Sequence, residues 1–290
     1  MAVSNLGYLA FDVSNLERWQ VLLEEVFGLE PVLGPSSDAL HFRMDAHHHR
    51  ISLYCSAEDS VRALGWEVKT LEGLEALAGR LTDLGIPAEP GSSALCSERK
   101  VKALFSYIDP YLQQRCEIFY GPLVTNTAFA PRNGMSGFKT GDMGLGHLAY
   151  WVEDMQEAEK FYRDVMGFSI SDYIAWDDND AVFMHCNRRH HTLALIAEAP
   201  DRPAGTLMHI MLEANSIDDV GYAYDRIRDL RFPVKLEPGK HSNDHMHGFY
   251  IESPSGFWLE FGTEAREIDE HWEVKTYDAP MLWGHRPGSA

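Results

Sequence analysis

The sequence predicts an α+β fold of two homologous domains, each of two βαβββ modules that form an incomplete barrel around a cavity. Two observations carry this. Residues 6–29 (LGYLAFDVSNLERWQVLLEEVFGL) and 145–168 (LGHLAYWVEDMQEAEKFYRDVMGF) align without a gap, so the chain contains an internal duplication. Each half then divides again. Four short apolar strands each lead into an amphipathic helix followed by alternating, strand-like stretches.

The elements follow in order. Strand 6–13 leads to a helix near 15–27, and strand 63–69 to one near 71–84. Strand 145–152 leads to a helix near 154–166, and strand 206–213 to one near 217–230. HTLALIAE at 191–198 and GFYIES at 248–253 read as strands. The repeat extends further: TDLGIPAE (82–89) matches RDLRFPVK (228–235), HHRISL (48–53) matches HHTLAL (190–195), and CEIFYG (116–121) resembles LEFG (259–262). The breaker-rich FAPRNGMSGFKTGDMG is the joint, which gives domains 1–134 and 135–290. Two modules of this kind can curl their sheets toward each other and enclose a site reachable from one end.

Composition narrows the function. With 290 residues the chain has room for two domains, and 45% hydrophobic against 24% charged residues is globular rather than disordered. A net charge of −19 repels phosphate backbones, so nucleic acid is not an expected partner. No apolar run is long enough to span a bilayer, and no export leader is read at the start. Cys55, Cys96, Cys116 and Cys186 are scattered without a CxxC pair, which suggests neither a zinc ribbon nor a disulfide framework. A cytoplasmic enzyme or binding protein fits these limits.

The chemically loud difference between the two halves is Tyr8 against His147. His147 alternates with Leu145, Ala149 and Trp151 on a strand; His209 lies in TLMHIMLE and Glu260 in GFWLEFG. A carboxylate in an apolar strand is costly unless it is paired or binds metal. Two imidazoles and one carboxylate on one face of a metal make the facial triad of non-haem iron(II) oxygenases. The bland alternative is a hydrogen-bonded core histidine and a half-exposed glutamate. Against it, both histidines begin equivalent strands, and both are absent from the first half. There Tyr8 replaces one, and LGWEVK around Gly65 and Trp66 replaces the other. Glu117 survives in the first half and, without partners, reads as structural.

A second cluster lies in the same half. His191 begins a strand, and the loop KHSNDHMHGFY supplies His241, Asn243, Asp244, His245, His247 and Tyr250. His245 and His247 read as part of a solvated loop, His185 and His190 as structural. His47, His48 and His49 are native rather than a tag, because HHRISL aligns with HHTLAL.

These residues sit in GLGHLAYWV (144–152), NRRHHTLAL (187–195), LMHIMLE (207–213), GKHSNDHMHGFYIESPSGFWLEFG (239–262) and the tail YDAPMLWGH (277–285). With these motifs the chain resembles the type I extradiol dioxygenases of the vicinal oxygen chelate superfamily, in particular those acting on 2,3-dihydroxybiphenyl. The resemblance covers nearly the whole chain. It implies Fe(II) bound by His147, His209 and Glu260, with Mn(II) the alternative for the same ligands. It implies that His191 is the acid/base beside the activated oxygen, an imidazole being suited to that by its pKa. Tyr250 would hydrogen-bond the deprotonated catechol oxygen, and His241 would lie on the other side of the substrate. Asn243 and Asp244 match the loop that orders His241 and lines the substrate site. An apolar wall of Ala149, Phe183, Ala194, Pro280 and Met281 would favour a substituent beside one hydroxyl.

The implied reaction is O2-dependent opening of a 3-substituted catechol such as 2,3-dihydroxybiphenyl, outside the two hydroxyls, in aromatic-compound catabolism. The implied protein is a homo-oligomer. The alternatives are another diol such as 1,2-dihydroxynaphthalene, or a metal-free binding or sequestering member of the superfamily. Glyoxalase-like chemistry would use a second glutamate that is not found here. The hydroxyphenylpyruvate-type enzymes use a C-terminal helix gate that this tail does not resemble.

Overall fold

The computed structural model describes residues 2–34, 38–177 and 179–288; the extreme ends of the two expected domains, Met1 and 289–290, lie outside them. The βαβββ pattern occurs four times. The first unit is β1 (Val3–Val13), α1 (Leu16–Gln20) running into a π-helical turn (Val21–Val26), β2 (Glu30–Leu33), β3 (Ala39–Arg43) and β4 (Ile51–Cys55). The second is β5 (Ser60–Val68), α2 (Leu71–Asp83), β6 (Glu89–Pro90), the extra helix α3 (Ser93–Arg99), β7 (Val101–Ile108) and β8 (Arg115–Pro122). The third is β9 (His147–Val152), α4 (Met155–Phe161) with its own π-turn (Tyr162–Met166), β10 (Ser169–Trp176), β11 (Asn179–His185) and β12 (Leu193–Ala197). The fourth is β13 (Leu207–Glu213), α5 (Ile217–Asp229), β14 (Val234–His241), β15 (His247–Glu252) and β16 (Trp258–Thr263).

Each strand-to-helix corner carries the same local device. A short polar side chain caps the first turn: Asn15 accepts from Arg18 N, Thr70 from Gly73 N, Asp154 from Glu157 N and Ser216 from Asp219 N. The helices bury one stripe, as at Leu74, Leu77, Ala78 and Leu81 of α2. The aligned glycines Gly28 and Gly167 end the π-turns at φ 78° and 82°, a left-handed conformation that a side chain would strain.

The strands form two curled sheets. The first half gives eight strands in the order β2-β3-β4-β1-β5-β8-β7-β6. The second gives ten, because the tail adds β17 (Lys275–Tyr277) beside β10 and β18 (Met281–Trp283) beside β14. One apolar core joins the halves. Phe27 stacks on Phe261 at 4.5 Å, Trp66 meets Phe168 edge-on at 5.7 Å, and Trp19 Nε1 donates to Ser255 Oγ at 2.8 Å. Among the described residues no helix is long and apolar enough to cross a membrane.

The registers correct one equivalence drawn from the sequence. Tyr8 pairs with Gly65 and Ala10 with Ala63, while His147 pairs with Met211 and Ala149 with His209. The first-half counterpart of His209 is therefore Ala63, not Gly65 or Trp66. Gly65 instead makes room for Tyr8: a Cβ there would lie 2.5 Å from the tyrosine ring. Glu117 is the counterpart of Glu260, and it has partners. The Tyr8 hydroxyl donates to it at 2.6 Å, Arg99 Nε at 2.9 Å and Arg115 Nε at 3.2 Å.

Candidate metal centre

Three adjacent strands bring the triad together. Met211 of β13 pairs with His147 on one side and with Glu260 on the other, and His209 lies two residues earlier on the same strand. Side chains two apart share a face, so His209 falls between the other two. His147 Nε2 and His209 Nε2 are 3.0 Å apart. Glu260 Oε2 lies 3.2 Å from the first and 3.4 Å from the second. All three residues are buried.

This triangle fits a metal ion. Donor atoms about 2.1 Å from one ion and at right angles to each other lie about 3.0 Å apart. Among the described residues Nδ1 of His147 and Nδ1 of His209 are both buried without a hydrogen-bond partner, so the polar contacts of the two rings are those of their Nε2 atoms with each other and with Glu260. Burial holds His209 neutral, lowered to about 3, so its ring keeps a lone pair for a metal. Burial opposes charge on Glu260, yet hydrogen bonds from His147 and His241 hold its carboxyl well below the ordinary carboxylate range.

The other expected residues surround this point. Tyr250 and His241 stand on the Glu260 side: His241 Nε2 lies 2.7 Å from the Tyr250 hydroxyl and 3.2 Å from Glu260 Oε1, and its Nδ1–H donates to Pro280 O at 2.9 Å. Burial opposes charge on His241, but the Glu260 hydrogen bond and charge, Asp244 and the Pro280 carbonyl raise it to about 9. Burial and the Glu260 charge push the Tyr250 hydroxyl up. His191 packs against His147 with ring centroids 3.8 Å apart, and burial followed by the neighbouring imidazoles pulls it well below its usual range. Asp244 closes its own loop by accepting from Met246 N at 2.9 Å and faces His191 Nδ1 at 3.9 Å. Asn243 is buried with its Nδ2 unpartnered.

All these side chains line one cavity of about 310 Å³. Ala149, Phe183, Ala194, Pro280 and Met281 line it too. A larger groove, about 890 Å³, lies elsewhere among the charged residues Glu24, Glu25, Arg226 and Asp229, and holds none of this chemistry. The sequence missed part of the wall, namely Ile174, Trp176, Ala181, Ile196 and Met208. It also missed His285, which stacks on His241 at 4.5 Å, lies 5.5 Å from the Tyr250 ring and is buried with neither ring nitrogen partnered. Its position in the tail motif YDAPMLWGH was the available signal. His245 and His247 do not line the cavity; His247 pairs with Glu264 at 3.2 Å.

Residues 144–261 match the family model of the glyoxalase/bleomycin resistance protein/dioxygenase superfamily, and residues 6–54 match the model for domain 1 of dihydroxybiphenyl dioxygenase. The chain is 38% identical to a biphenyl-2,3-diol 1,2-dioxygenase of Paraburkholderia xenovorans (strain LB400), over 99% of this chain and 96% of that one. It is 37% identical to a 3-methylcatechol 2,3-dioxygenase of Pseudomonas putida, over 99% and 98%. A crystal structure described as a halotolerant catechol dioxygenase superimposes with a TM-score of 0.93 at 37% identity, covering 99% of this chain and 95% of that one.

Proposed function

The chain belongs to the extradiol dioxygenases of the glyoxalase/bleomycin resistance protein/dioxygenase superfamily, and on that premise we propose that it opens the ring of a 3-substituted catechol such as 2,3-dihydroxybiphenyl with O2. The observation that carries the reading is one cavity in which the His147, His209 and Glu260 donor atoms converge while His191, His241 and Tyr250 face the same space. The chemistry belongs to residues 135–290, and residues 1–134 form a metal-free companion domain. A cytoplasmic homo-oligomer is part of the same proposal.

An iron(II) ion held by His147, His209 and Glu260 would supply the Lewis acidity that eases loss of a catechol proton and the redox path between catechol and O2. The residues around it do the rest. Tyr250 and His241 form a hydrogen-bonded pair beside Glu260, suited to grip and orient a catechol oxygen. His191 lies across the cavity, against His147, and moves a proton to or from the reacting oxygen. The apolar wall excludes water from the ring carbons. The carbon–carbon bond next to the hydroxyl-bearing pair breaks, and both atoms of O2 enter one product, a hydroxymuconic semialdehyde or the related ketone.

The test is purification without air, metal analysis, and O2 uptake with a panel of catechols. One iron per chain and one O2 per yellow product are expected. Glu260→Gln and His147→Ala should lose the metal and all turnover with an unchanged circular dichroism spectrum. Full iron occupancy in either variant, or a wild type loaded with iron that consumes no O2, refutes the assignment.

A further inference from the structure

We propose that a buried Asp172–His190 pair fixes which ring nitrogen of His191 is bare toward the cavity. This deepens the reading of the site as a catechol-opening centre and rests on that reading for its effect on turnover. Asp172 lies on β10, and its Oδ1 accepts the backbone N–H of Lys275 at 2.9 Å. Its Oδ2 is 2.8 Å from His190 Nε2. His190 Nδ1 is in turn 3.0 Å from His191 Nδ1. The three residues are 0%, 1% and 4% exposed, so water does not compete for these bonds. Trp272 packs edge-on against the His190 ring at 5.1 Å and holds it in place.

The proton positions follow from donor and acceptor chemistry. A carboxylate only accepts, so His190 Nε2 carries the hydrogen. We take this as the one N–H of His190, with the Asp172 carboxylate met by a hydrogen bond and not by a second ring proton, so His190 Nδ1 is an acceptor. His191 Nδ1 must then donate, and its Nε2 is left bare. Asp244 Oδ2, 3.9 Å from the same His191 Nδ1, favours the same hydrogen. His191 lines the cavity with Nδ1 committed, so Nε2 is the atom left for substrate. Only a bare Nε2 can take a substrate proton. Asp172 and His190 are thus positioning residues that act through His191.

The first half holds a natural control. His48 and His49 repeat the pair, with Nδ1 atoms 3.0 Å apart and rings at 84° against 90° for His190 and His191. The strand register puts Val32 where Asp172 stands, since Val32 pairs with His41 as Asp172 pairs with Phe183. Among the described residues His48 has no carboxylate partner. The half that lost the triad therefore also lacks the carboxylate that would set the tautomer.

The test reads the His191 tautomer directly. Metal-free protein labelled with ¹⁵N-histidine is examined by long-range ¹H–¹⁵N correlation, with His191 assigned from His191→Gln. Wild type should show hydrogen on Nδ1. In Asp172→Asn the amide oxygen keeps the Lys275 N–H, so the amide NH2 faces His190 Nε2. Both imidazoles must then reverse, which moves the His191 hydrogen to Nε2. The loaded variant should keep its metal and KM while kcat falls about a hundredfold, the weight of one proton-transfer group. His190→Phe keeps the packing against Trp272 and leaves His191 Nδ1 only the longer 3.9 Å contact with Asp244, so the Nε2-protonated form should become detectable beside the Nδ1 form. Wild-type His191 protonated on Nε2 overturns the proposal, as does an unchanged single tautomer in either variant. A wild type inactive on every catechol would overturn the function instead, and the tautomer result in metal-free protein would still stand.

Discussion

Ala194→Phe should abolish a preference for 3-substituted catechols. Strand register sets Phe183, Ala194, Ala149 and His209 side by side across β11, β12, β9 and β13. Two methyl groups therefore floor the space next to a triad histidine. The cavity holds about 310 Å³. A dry apolar cavity of about 150 Å³ accommodates one benzene ring. This one has room for about two: the catechol and one more ring against Ile174, Trp176, Ala181, Ile196 and Met208. Burying a phenyl-sized group contributes about 2–3 kcal/mol. Expressed in the transition state, that is about a 30- to 150-fold gain in kcat/KM.

A phenylalanine at 194 would fill roughly one of those two ring volumes. The assay is kcat/KM for 2,3-dihydroxybiphenyl and for catechol, wild type against variant, followed by product absorbance. The wild-type ratio should be about 30 or more, and the variant ratio near or below one with catechol turnover largely kept. Retained catechol turnover also guards against misfolding, since overpacking costs about 1–3 kcal/mol. A wild-type ratio below one, or a ratio unchanged by the substitution, would show that the second ring does not lie over Ala194.

His191→Gln should keep one metal per chain and still bind catechol without air, while kcat falls about a hundredfold; wild-type turnover would reduce His191 to a packing residue. Arg99→Met should destabilise the protein by about 1.5–3 kcal/mol in urea without changing kcat, because it removes the buried one of the two guanidiniums bound to Glu117 and leaves only Arg115 and the Tyr8 hydroxyl; an unmoved midpoint would contradict the ion pair. Burial lowers His41 to about 4, so between pH 6.5 and 4 the unfolded chain binds a proton that the folded chain refuses. Stability should fall with pH across that window, by up to about 1.4 kcal/mol per unit for this group, and His41→Phe should flatten the slope. An identical slope in the variant would place the lost stability elsewhere.

What the sequence made legible was what duplication preserves. Leu9 with Leu148, Ala10 with Ala149 and Gly28 with Gly167 keep their places, so a change at one position, Tyr8 to His147, stands out. The four helix caps were passed over, although each is a local device of three or four residues at matching places, Asn15 with Asp154 and Thr70 with Ser216. The counterpart of His209 was not read correctly, although the offset that matches TDLGIPAE (82–89) to RDLRFPVK (228–235) puts Ala63 there, as the strand pairs Ala10 with Ala63 and Ala149 with His209 show. Nor was the surrounding of His190, read as structural. Its partner Asp172 comes from another strand, and Trp272 from the tail about a hundred residues further on. The rest of the apolar wall was missed in the same way: Ile174, Ala181 and Met208 gain their meaning only when three strands curl over one another.

The two halves keep a buried carboxylate at the same strand position and differ in how its charge is met. Glu117 is answered by the Arg99 and Arg115 guanidiniums and the Tyr8 hydroxyl, a set complete without any ligand. Among the described residues Glu260 has no lysine or arginine partner; imidazoles surround it. Of these, His209 is held neutral by burial and offers a lone pair, while His241, raised to about 9, is the cation beside the carboxylate. A bare imidazole nitrogen and a carboxylate can ligate a metal, whereas the guanidiniums around Glu117 have no lone pair to offer. Replacing Tyr8 by His alone would therefore not make the first half bind metal, because Arg99 already occupies the electrostatic role and Ala63 offers no donor. Three changes are needed together, at Tyr8, Ala63 and Arg99, and the wide separation of those three positions in the chain is why one tyrosine-for-histidine difference understates how far the halves have diverged.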